Sequence, residues 1–410
     1  MELFLPIVYL AYMFISLFML FFFLIIFLRT ANTINTCPVP KRHYSVSVLI
    51  PAYNEEKSIK ECIEAVLKSD YPIEEIIVIN DGSKDRTKEI VQEIMSHNKI
   101  VKLLDKKNSG KADSLNKGIE MAKGELIAVV DSDGFIQSDA IRKMVGFFND
   151  ENVGGVTSNV LVKHRKKFIE KLQAMEYAVI SWTRKLLEHI DGIWVTPGAL
   201  SIYKKDALAR IGGFDVKNLT EDIEIAWRLT HFGYKVNMSV PARVLTIVPE
   251  KFKVWANQRI RWNIGGLSTL IKYKKDFFKK GLGVFILPFY SLSYFLGLLG
   301  FGVFGYLTLR SIYYRYFMVK YSIGAGISPI IMPEIYFTPT ILNMFGISLL
   351  VLGFYFTIFA FSQMKENDFI KRKNILTLLF YLIVYLTVYP FLLLAAFYNI
   401  VAGKKTWGTK

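Results

Sequence analysis

The sequence predicts an α/β domain with a mostly parallel sheet, set between apolar segments that carry part of the chain into a membrane. Three observations predict it. Short β-rich runs alternate with helical ones from residue 46 to residue 130. The longest apolar stretches gather at residues 2–28 and beyond residue 282. A chain of 410 residues with 52% hydrophobic and 15% aromatic residues is also too apolar for an ordinary soluble protein.

Residues 2–28 hold no charge between Glu2 and Arg29, a run longer than the roughly 20 residues that span a bilayer. A cleaved secretory leader would have a basic start, a shorter core and small residues at its end; residues 1–30 lack all three and read as a retained anchor. Arg29, Lys41 and Arg42 follow the anchor, so the domain at residues 41–280 is expected on the cytosolic side. Its strands are expected at 46–51, 75–80, 101–104 and 126–130, with helices at 55–68, 87–95 and 112–122. These strands are apolar on both faces, which favours a parallel sheet covered by helices. Polar residues gather just past the strand ends, where open α/β sheets bind their ligands.

Three apolar blocks follow, at 282–308, 338–362 and 374–401, in a membrane block of residues 281–403. Four crossings in all would leave both chain ends outside, which conflicts with the basic Lys404, Lys405 and Lys410. Either the last block, interrupted by Pro390, is re-entrant or interfacial, or one long block folds as a hairpin.

The formal charge of +16 is explained largely by cations that flank the apolar runs: Lys274, Lys275, Lys279 and Lys280, then Lys371, Arg372 and Lys373. Membrane lipid headgroups favour that placement. The other basic residues are scattered and no nucleic-acid fold signature accompanies them, so no nucleic acid is expected as a partner. Cys37 and Cys62 are the only cysteines, too few for a disulfide framework and without metal-ligand spacing.

The chemistry sits at strand ends. Past the first strand come Tyr53, whose ring can stack on a base, and Glu55, whose carboxylate can accept from the N–H groups of a base. Past the second comes Asp81 in an Asp-Gly turn, which on its own is ordinary turn chemistry. Past the last come Asp131 and Asp133, two carboxylates at i and i+2 whose hard oxygens suit Mg²⁺ or Mn²⁺. Such an ion would bridge two phosphates and stabilise a leaving nucleoside diphosphate. Lys111 opens a helix, where N–H groups already favour phosphate. No Walker loop is present, which disfavours ATP-driven transport of that type.

Thr220 reads as the cap of a helix that opens with Glu221 and Asp222. Acidic residues there complement the helix dipole, and one of them can also serve as a general base. Gln258, Arg259, Arg261 and Trp262 lie on an amphipathic helix leading to Gly265 and Gly266. Arg and Gln can hold a diphosphate and a Trp face can carry a sugar; the plainer reading is an interfacial helix with snorkelling arginines.

Together these motifs resemble the processive family 2 glycosyltransferases, the group of cellulose, chitin, hyaluronan and poly-N-acetylglucosamine synthases, over about residues 44–275. The resemblance implies a Rossmann-like GT-A domain with transmembrane and interfacial helices, at the cell membrane as a multi-pass protein. It implies inverting transfer from a UDP-sugar donor to a growing glycan acceptor that passes outward, with Mg²⁺ or Mn²⁺ as cofactor. An accessory membrane subunit is left open.

By the same resemblance Asp222 is the catalytic base. Tyr53, Glu55 and Asp81 bind uridine, Lys111 the phosphates, and Asp131 with Asp133 the nucleotide and metal. Gln258, Arg259, Arg261 and Trp262 match the Gln-x-x-Arg-Trp signature, which holds the diphosphate and lines the acceptor end together with Glu221 and Gly198. Gly110-Lys111-Ala112, Thr220-Glu221-Asp222-Ile223 and Val248-Pro249-Glu250 look most like poly-β-1,6-N-acetylglucosamine synthases. The end of the chain, with Trp407, Thr409 and Lys410, instead looks like the gating segment (404–410) of hyaluronan synthases, which use two UDP-sugars. A third alternative is a lipid-linked transferase that adds one sugar, although such relatives usually lack the signature. Two departures from the pattern stand out: Asn80 replaces the first Asp of the usual Asp-Asp-Gly-Ser run, and Thr196-Pro197-Gly198-Ala199 replaces a Ser-Gly stretch.

Overall fold

Every strand expected between residues 46 and 130 forms, and the order of elements shows why the polar strand ends meet. The computed structural model describes residues 4–279, 281–326 and 341–403. Trp407, Thr409 and Lys410, the expected gating residues, lie outside the described residues. The chain begins with α1 (Phe4–Thr30), β1 (Val46–Ala52), α2 (Ile59–Leu67), β2 (Glu75–Asp81), α3 (Thr87–His97), β3 (Val101–Lys106) and α4 (Lys111–Met121). It continues with β4 (Leu126–Val129), β5 (Gly134–Ile136), α5 (Arg142–Val145), β6 (Val153–Val162), α6 (Phe168–Glu188), β7 (Ser201–Lys204) and α7 (Lys205–Ile211). Then come α8 (Glu221–His231), β8 (Lys235–Thr246), α9 (Phe252–Tyr273), α10 (Ile286–Gly324), α11 (Ile341–Gln363), α12 (Ile375–Phe380) and α13 (Tyr389–Val401).

The strands form one sheet in the order β3-β2-β1-β4-β7-β6-β8-β5. The first four are mutually parallel, and β6 pairs parallel with β8. The β4–β7, β7–β6 and β8–β5 pairs are antiparallel, so the second half of the sheet is mixed. The antiparallel β4–β7 register, with Val129 opposite Ser201, brings the chain before β7 to the end of β4, where Asp131 emerges.

Strand alternation sorts the core onto two faces. Val46, Val48, Ile50, Ile76 and Val78 pack with Ile59, Ile63 and Val66 of α2. Leu49, Ile77, Ile79 and Ile127 face the other way, onto Leu115 of α4 and Leu172, Met175 and Leu186 of α6. This second core does not stop at α6. It runs on into Phe23 and Ile26 of α1 and Phe361 of α11, so the sheet and the apolar helices share one packed interior.

Three helical stretches among the described residues are long and apolar enough to cross a membrane: Pro6–Thr30, Gly281–Gly324 and Arg372–Val401. A shorter apolar run, Ile347–Gln363, belongs to α11. α10 is one helix of 39 residues that continues through Arg310, Arg315 and Lys320, not a hairpin ending near 308. At 1.5 Å per residue it is about 58 Å long, well beyond a hydrocarbon core of about 30 Å. The last stretch is interrupted: after α12 comes a π-helical turn, Tyr381–Tyr385, and a 3₁₀ turn before Pro390 restarts α13.

Candidate active site

The corner at Asp131 is built from backbone first. Its N–H donates to the Gly198 carbonyl (2.8 Å), while its own carbonyl accepts from the Gly134 N–H (2.8 Å) and the Cys62 thiol (3.4 Å). With the main chain held on both sides, the carboxylate reaches Lys111 Nζ at 2.6 Å. Lys111 also meets Glu221 at 2.7 Å. Burial disfavours the Lys111 ammonium, but Asp131, Glu221 and Asp222 more than offset this and keep it charged. A Cβ on Gly198 would stand 2.6 Å from Lys111 Nζ and 2.7 Å from both Asp131 oxygens, so any side chain there would displace that pair. Gly198 therefore touches the Lys111–Asp131 pair.

Asp81 supports this corner from below. It is 4% exposed, and its two oxygens accept from the Ser109 and Gly110 N–H groups at 2.9 Å each and pair with Lys106. These bonds hold the turn that starts α4 at Gly110, whose φ of +97° suits glycine. Asp81 is thus occupied in shaping the loop that presents Lys111. Tyr53 is 44% exposed past β1, where Glu55 accepts from the Ser58 hydroxyl at 2.7 Å. Asn80 donates its amide to Asp105 at 2.7 Å across the β2–β3 register, and Asp105 also pairs with Lys88. A carboxylate at buried position 80 would face the carboxylate of Asp105, which is itself exposed and paired with Lys88.

α8 is tied to the same corner. Thr196 donates from both its N–H and its hydroxyl to the Asp222 carbonyl, each at 3.1 Å. Through Thr196 and Gly198 one short loop fixes the main chain of Asp222 and of Asp131 together. Thr220 is the N-cap residue of α8, yet its hydroxyl makes no cap bond and lies 3.3 Å from Asn218 Oδ1. The capping role expected of Thr220 is thus corrected: its side chain is packed against Gly265 of α9 instead. Buried Glu224 anchors the helix further, with Arg228 at 2.8 Å, Lys272 at 2.6 Å and the Tyr273 hydroxyl at 2.8 Å.

The two acids that open α8 are pushed apart. Burial raises Asp222 first, the Glu221 and Asp131 carboxylates raise it further, and its pKa reaches about 7. Burial also works against Glu221, but Lys111 outweighs it and holds that carboxyl below its usual range. A carboxylate titrating near neutrality beside one that stays ionised is the arrangement a general base requires.

α9 completes the site. Gln258, Arg261 and Trp262 line a cavity of about 490 Å³ together with Lys111, Asp131, Asp133, Gly198, Glu221 and Asp222. Tyr290 and Tyr294 of α10 and Tyr389 of α13 line the same cavity. Arg259 lines the cavity as well, but its guanidinium is held by Glu176. It is 1% exposed, forms a bidentate pair with Glu176 of α6 (2.5 and 3.0 Å), and lies with its guanidinium 4.0 Å above the Trp262 ring. Glu176 accepts in turn from the hydroxyls of Tyr385 (2.7 Å) and Tyr389. Trp262 is thereby braced through Arg259 and Glu176 by the last apolar stretch, at its π-helical turn. Apart from Arg259 and Trp262, the members of this network stand in no signature; the sequence signal for them is acidic Glu176 within an otherwise apolar part of α6.

Asp131 and Asp133 can serve as ligands for a divalent cation. Among the described residues no cluster of three or more His, Cys, Asp or Glu is arranged for a metal. Two carboxylates whose remaining partners come from a diphosphate and water are nevertheless the donor set that Mg²⁺ accepts, and the Lys111 ammonium on Asp131 shows that this corner attracts a cation.

A mixed α/β sheet with paired acids at the β4 end, a buried acid on α8 and an Arg-Trp helix closing the cavity define a GT-A glycosyltransferase. Residues 42–265, more than half of the chain, match the family model described as glycosyltransferase like family 2, and the chain belongs to that family. It is 34% identical over 255 residues to a poly-beta-1,6-N-acetyl-D-glucosamine synthase of Staphylococcus epidermidis, covering 60% of this chain and 61% of that one. A synthase of the same description from Staphylococcus aureus (strain COL) is 33% identical over 235 residues, covering 57% and 56%. The matched stretch therefore spans less than two thirds of these relatives. A mannosyltransferase from Pyrobaculum calidifontis, solved with GDP-Man and Mn2+, superposes with a TM-score of 0.57 over 96% of this chain and 99% of that one; at 18% identity the likeness is one of fold.

Proposed function

We propose that this protein is a processive, inverting glycosyltransferase that polymerises N-acetylglucosamine from a UDP-sugar and passes the glycan across the cell membrane. The carrying observation is the single cavity lined both by the Lys111, Asp131 and Asp222 cluster and by tyrosines of two apolar helices. The names of the relatives favour N-acetylglucosamine. The layout is a residue 1–30 anchor, a cytosolic domain over 41–280 and a membrane block over 281–403.

In this reading the diphosphate lies against Lys111, Gln258 and Arg261, and the acceptor sugar rests on the face of Trp262. Asp222 takes the proton of the acceptor hydroxyl as its oxygen attacks the anomeric carbon; the bond from that carbon to the phosphate oxygen breaks and UDP leaves. One displacement inverts the anomeric centre and needs no second nucleophile. A divalent cation, Mg²⁺ or Mn²⁺, held by Asp133 and Asp131 would neutralise charge on the departing diphosphate. Tyr53 and Glu55 are assigned to the uracil, at the open end past β1.

The test is product analysis with single and paired UDP-sugars. UDP-N-acetylglucosamine alone is expected to give a polymer that a hexosaminidase digests completely. A requirement for two donors would favour a hyaluronan-type synthase, and a product with one sugar on lipid would end the claim of processivity.

A further inference from the structure

We propose that Arg184 of α6 is an acceptor-binding residue, donating to the N-acetyl carbonyl of the acceptor unit next to the one being extended. The inference rests on the polymerising reading above and adds a subsite to it. Arg184 is 4% exposed and lines the cavity, and its Nε and Nη1 atoms are buried without a hydrogen-bond partner among the described residues. The other buried charged side chains of α6 are all satisfied. Glu170 accepts from the Lys167 N–H, Glu176 holds Arg259, and Lys185 pairs with Glu188. Arg184 is the exception in that helix.

An unpaired buried guanidinium is costly, and arginine does not escape by losing its proton. Burial does press its pKa down, to about 10, with Asp222 opposing the shift, so Arg184 remains a cation within electrostatic reach of the base. A ligand oxygen reaching it from the cavity would supply the missing partner. The walls of the cavity beside it include Trp194, Tyr177 and Tyr290, rings that suit the faces of a sugar. Trp194 and Tyr290 lie 6.4 Å apart, centroid to centroid.

The charge balance selects the kind of oxygen. Besides Arg184 itself, the cavity is lined by Asp113, Asp131, Asp133, Glu221 and Asp222 against Lys111, Arg259 and Arg261, with Arg259 already paired to Glu176, so a carboxylate or phosphate on the acceptor would meet net repulsion. A neutral amide carbonyl would not. It is also a pure acceptor, which matches a side chain that can only donate. On an N-acetylated glycan that oxygen recurs once per unit, so the subsite would check each added sugar as it moves past Trp262.

The test uses the full chain in detergent or nanodiscs, with UDP-N-acetylglucosamine as donor and two acceptors, a short N-acetylglucosamine oligosaccharide and its de-N-acetylated counterpart. The wild type is expected to prefer the N-acetylated acceptor. Arg184→Met is expected to raise the KM for that acceptor about 10-fold to 100-fold and to erase the preference. Its donor KM should move by less than about twofold, since the change falls on the acceptor side. Arg184→Lys should recover part of the preference. Folding is controlled by Tm, which should stay level or rise in Arg184→Met because an unpaired buried charge is replaced by an apolar group of similar size. If the wild type elongates and a folded Arg184→Met shows the same acceptor KM and the same preference, the subsite is refuted alone. A wild type that elongates neither acceptor refutes the polymerising reading and the subsite with it.

Discussion

Asp222→Asn is expected to lower turnover roughly 10²-fold to 10⁴-fold and, in the same protein, to raise thermal stability at about pH 8. Both effects come from one environment. Burial, Glu221 and Asp131 lift the Asp222 carboxyl from an ordinary 3.8 to about 7 in the folded protein. A group whose pKa rises on folding stabilises the fold while it is protonated. That contribution is complete below the unfolded value near 3.8 and is lost as pH climbs through about 7. Above that point the fold carries a charge it disfavours, and a neutral amide relieves it. The same titration places the acid limb of kcat/KM near pH 7, since only the carboxylate can take the acceptor proton. Product formation and thermal melts across pH read both halves. Unchanged turnover would remove Asp222 as the base, and a lowered Tm at the alkaline end would contradict the charge argument.

The second large effect is expected from a residue that touches no substrate. Gly265→Ala should reduce turnover by about 10²-fold while the protein still folds, because misplacement by about 1 Å is enough for such a loss. A methyl group there would collide with Thr220, coming within 2.5 Å of its Cγ2 and 2.7 Å of its Cβ. Thr220 directly precedes Glu221 and Asp222, so the start of α8 must move. Glu224, at the end of the first turn of α8, stays tied to Lys272 and Tyr273 of α9, so the expected result is a local shift at Glu221 and Asp222, not an unfolding. Overpacking of this kind typically removes about 1–3 kcal/mol of stability. The paired variant Gly265→Ala with Thr220→Gly removes the colliding side chain and should recover most of the turnover. Full turnover in the single variant would mean that the α8–α9 approach does not position the base.

The parallel half of the sheet is legible because its strands are apolar on both faces, as Ile76–Ile79 and Leu126–Val129 display, and each ends in a polar turn. The mixed half is not. β6 contains Gly154 and Gly155, and β8 contains Pro241, residues that weaken any strand pattern, and their partners are set by distant pairing. Lys111, Asp131 and Asp222 are legible because they stand at strand and helix ends, and Trp262 because it stands in a short motif inside α9. Their tasks are only partly so. Asp81 sits at such an end, yet its oxygens are taken up by the turn before α4, a fact that depends on where residues 106–110 fold back. Arg259 lies inside the signature, but its charge is spent on Glu176, 83 positions earlier, and on the ring of Trp262. The membrane block is legible in its apolar content but not in its breaks. The π-helical turn that brings Tyr385 and Tyr389 to Glu176 follows from packing against α6, not from composition.

The claim that matters most is that donor chemistry and exit path share one cavity. Full-length protein sealed into lipid vesicles, with UDP-N-acetylglucosamine supplied on the outside only, addresses it through the molecules whose catalytic domain faces outward. Polymer should form and resist a hexosaminidase added outside, becoming digestible only once detergent opens the vesicles. Polymer digested without detergent would show that the product leaves on the donor side, and the path through the membrane helices would be wrong.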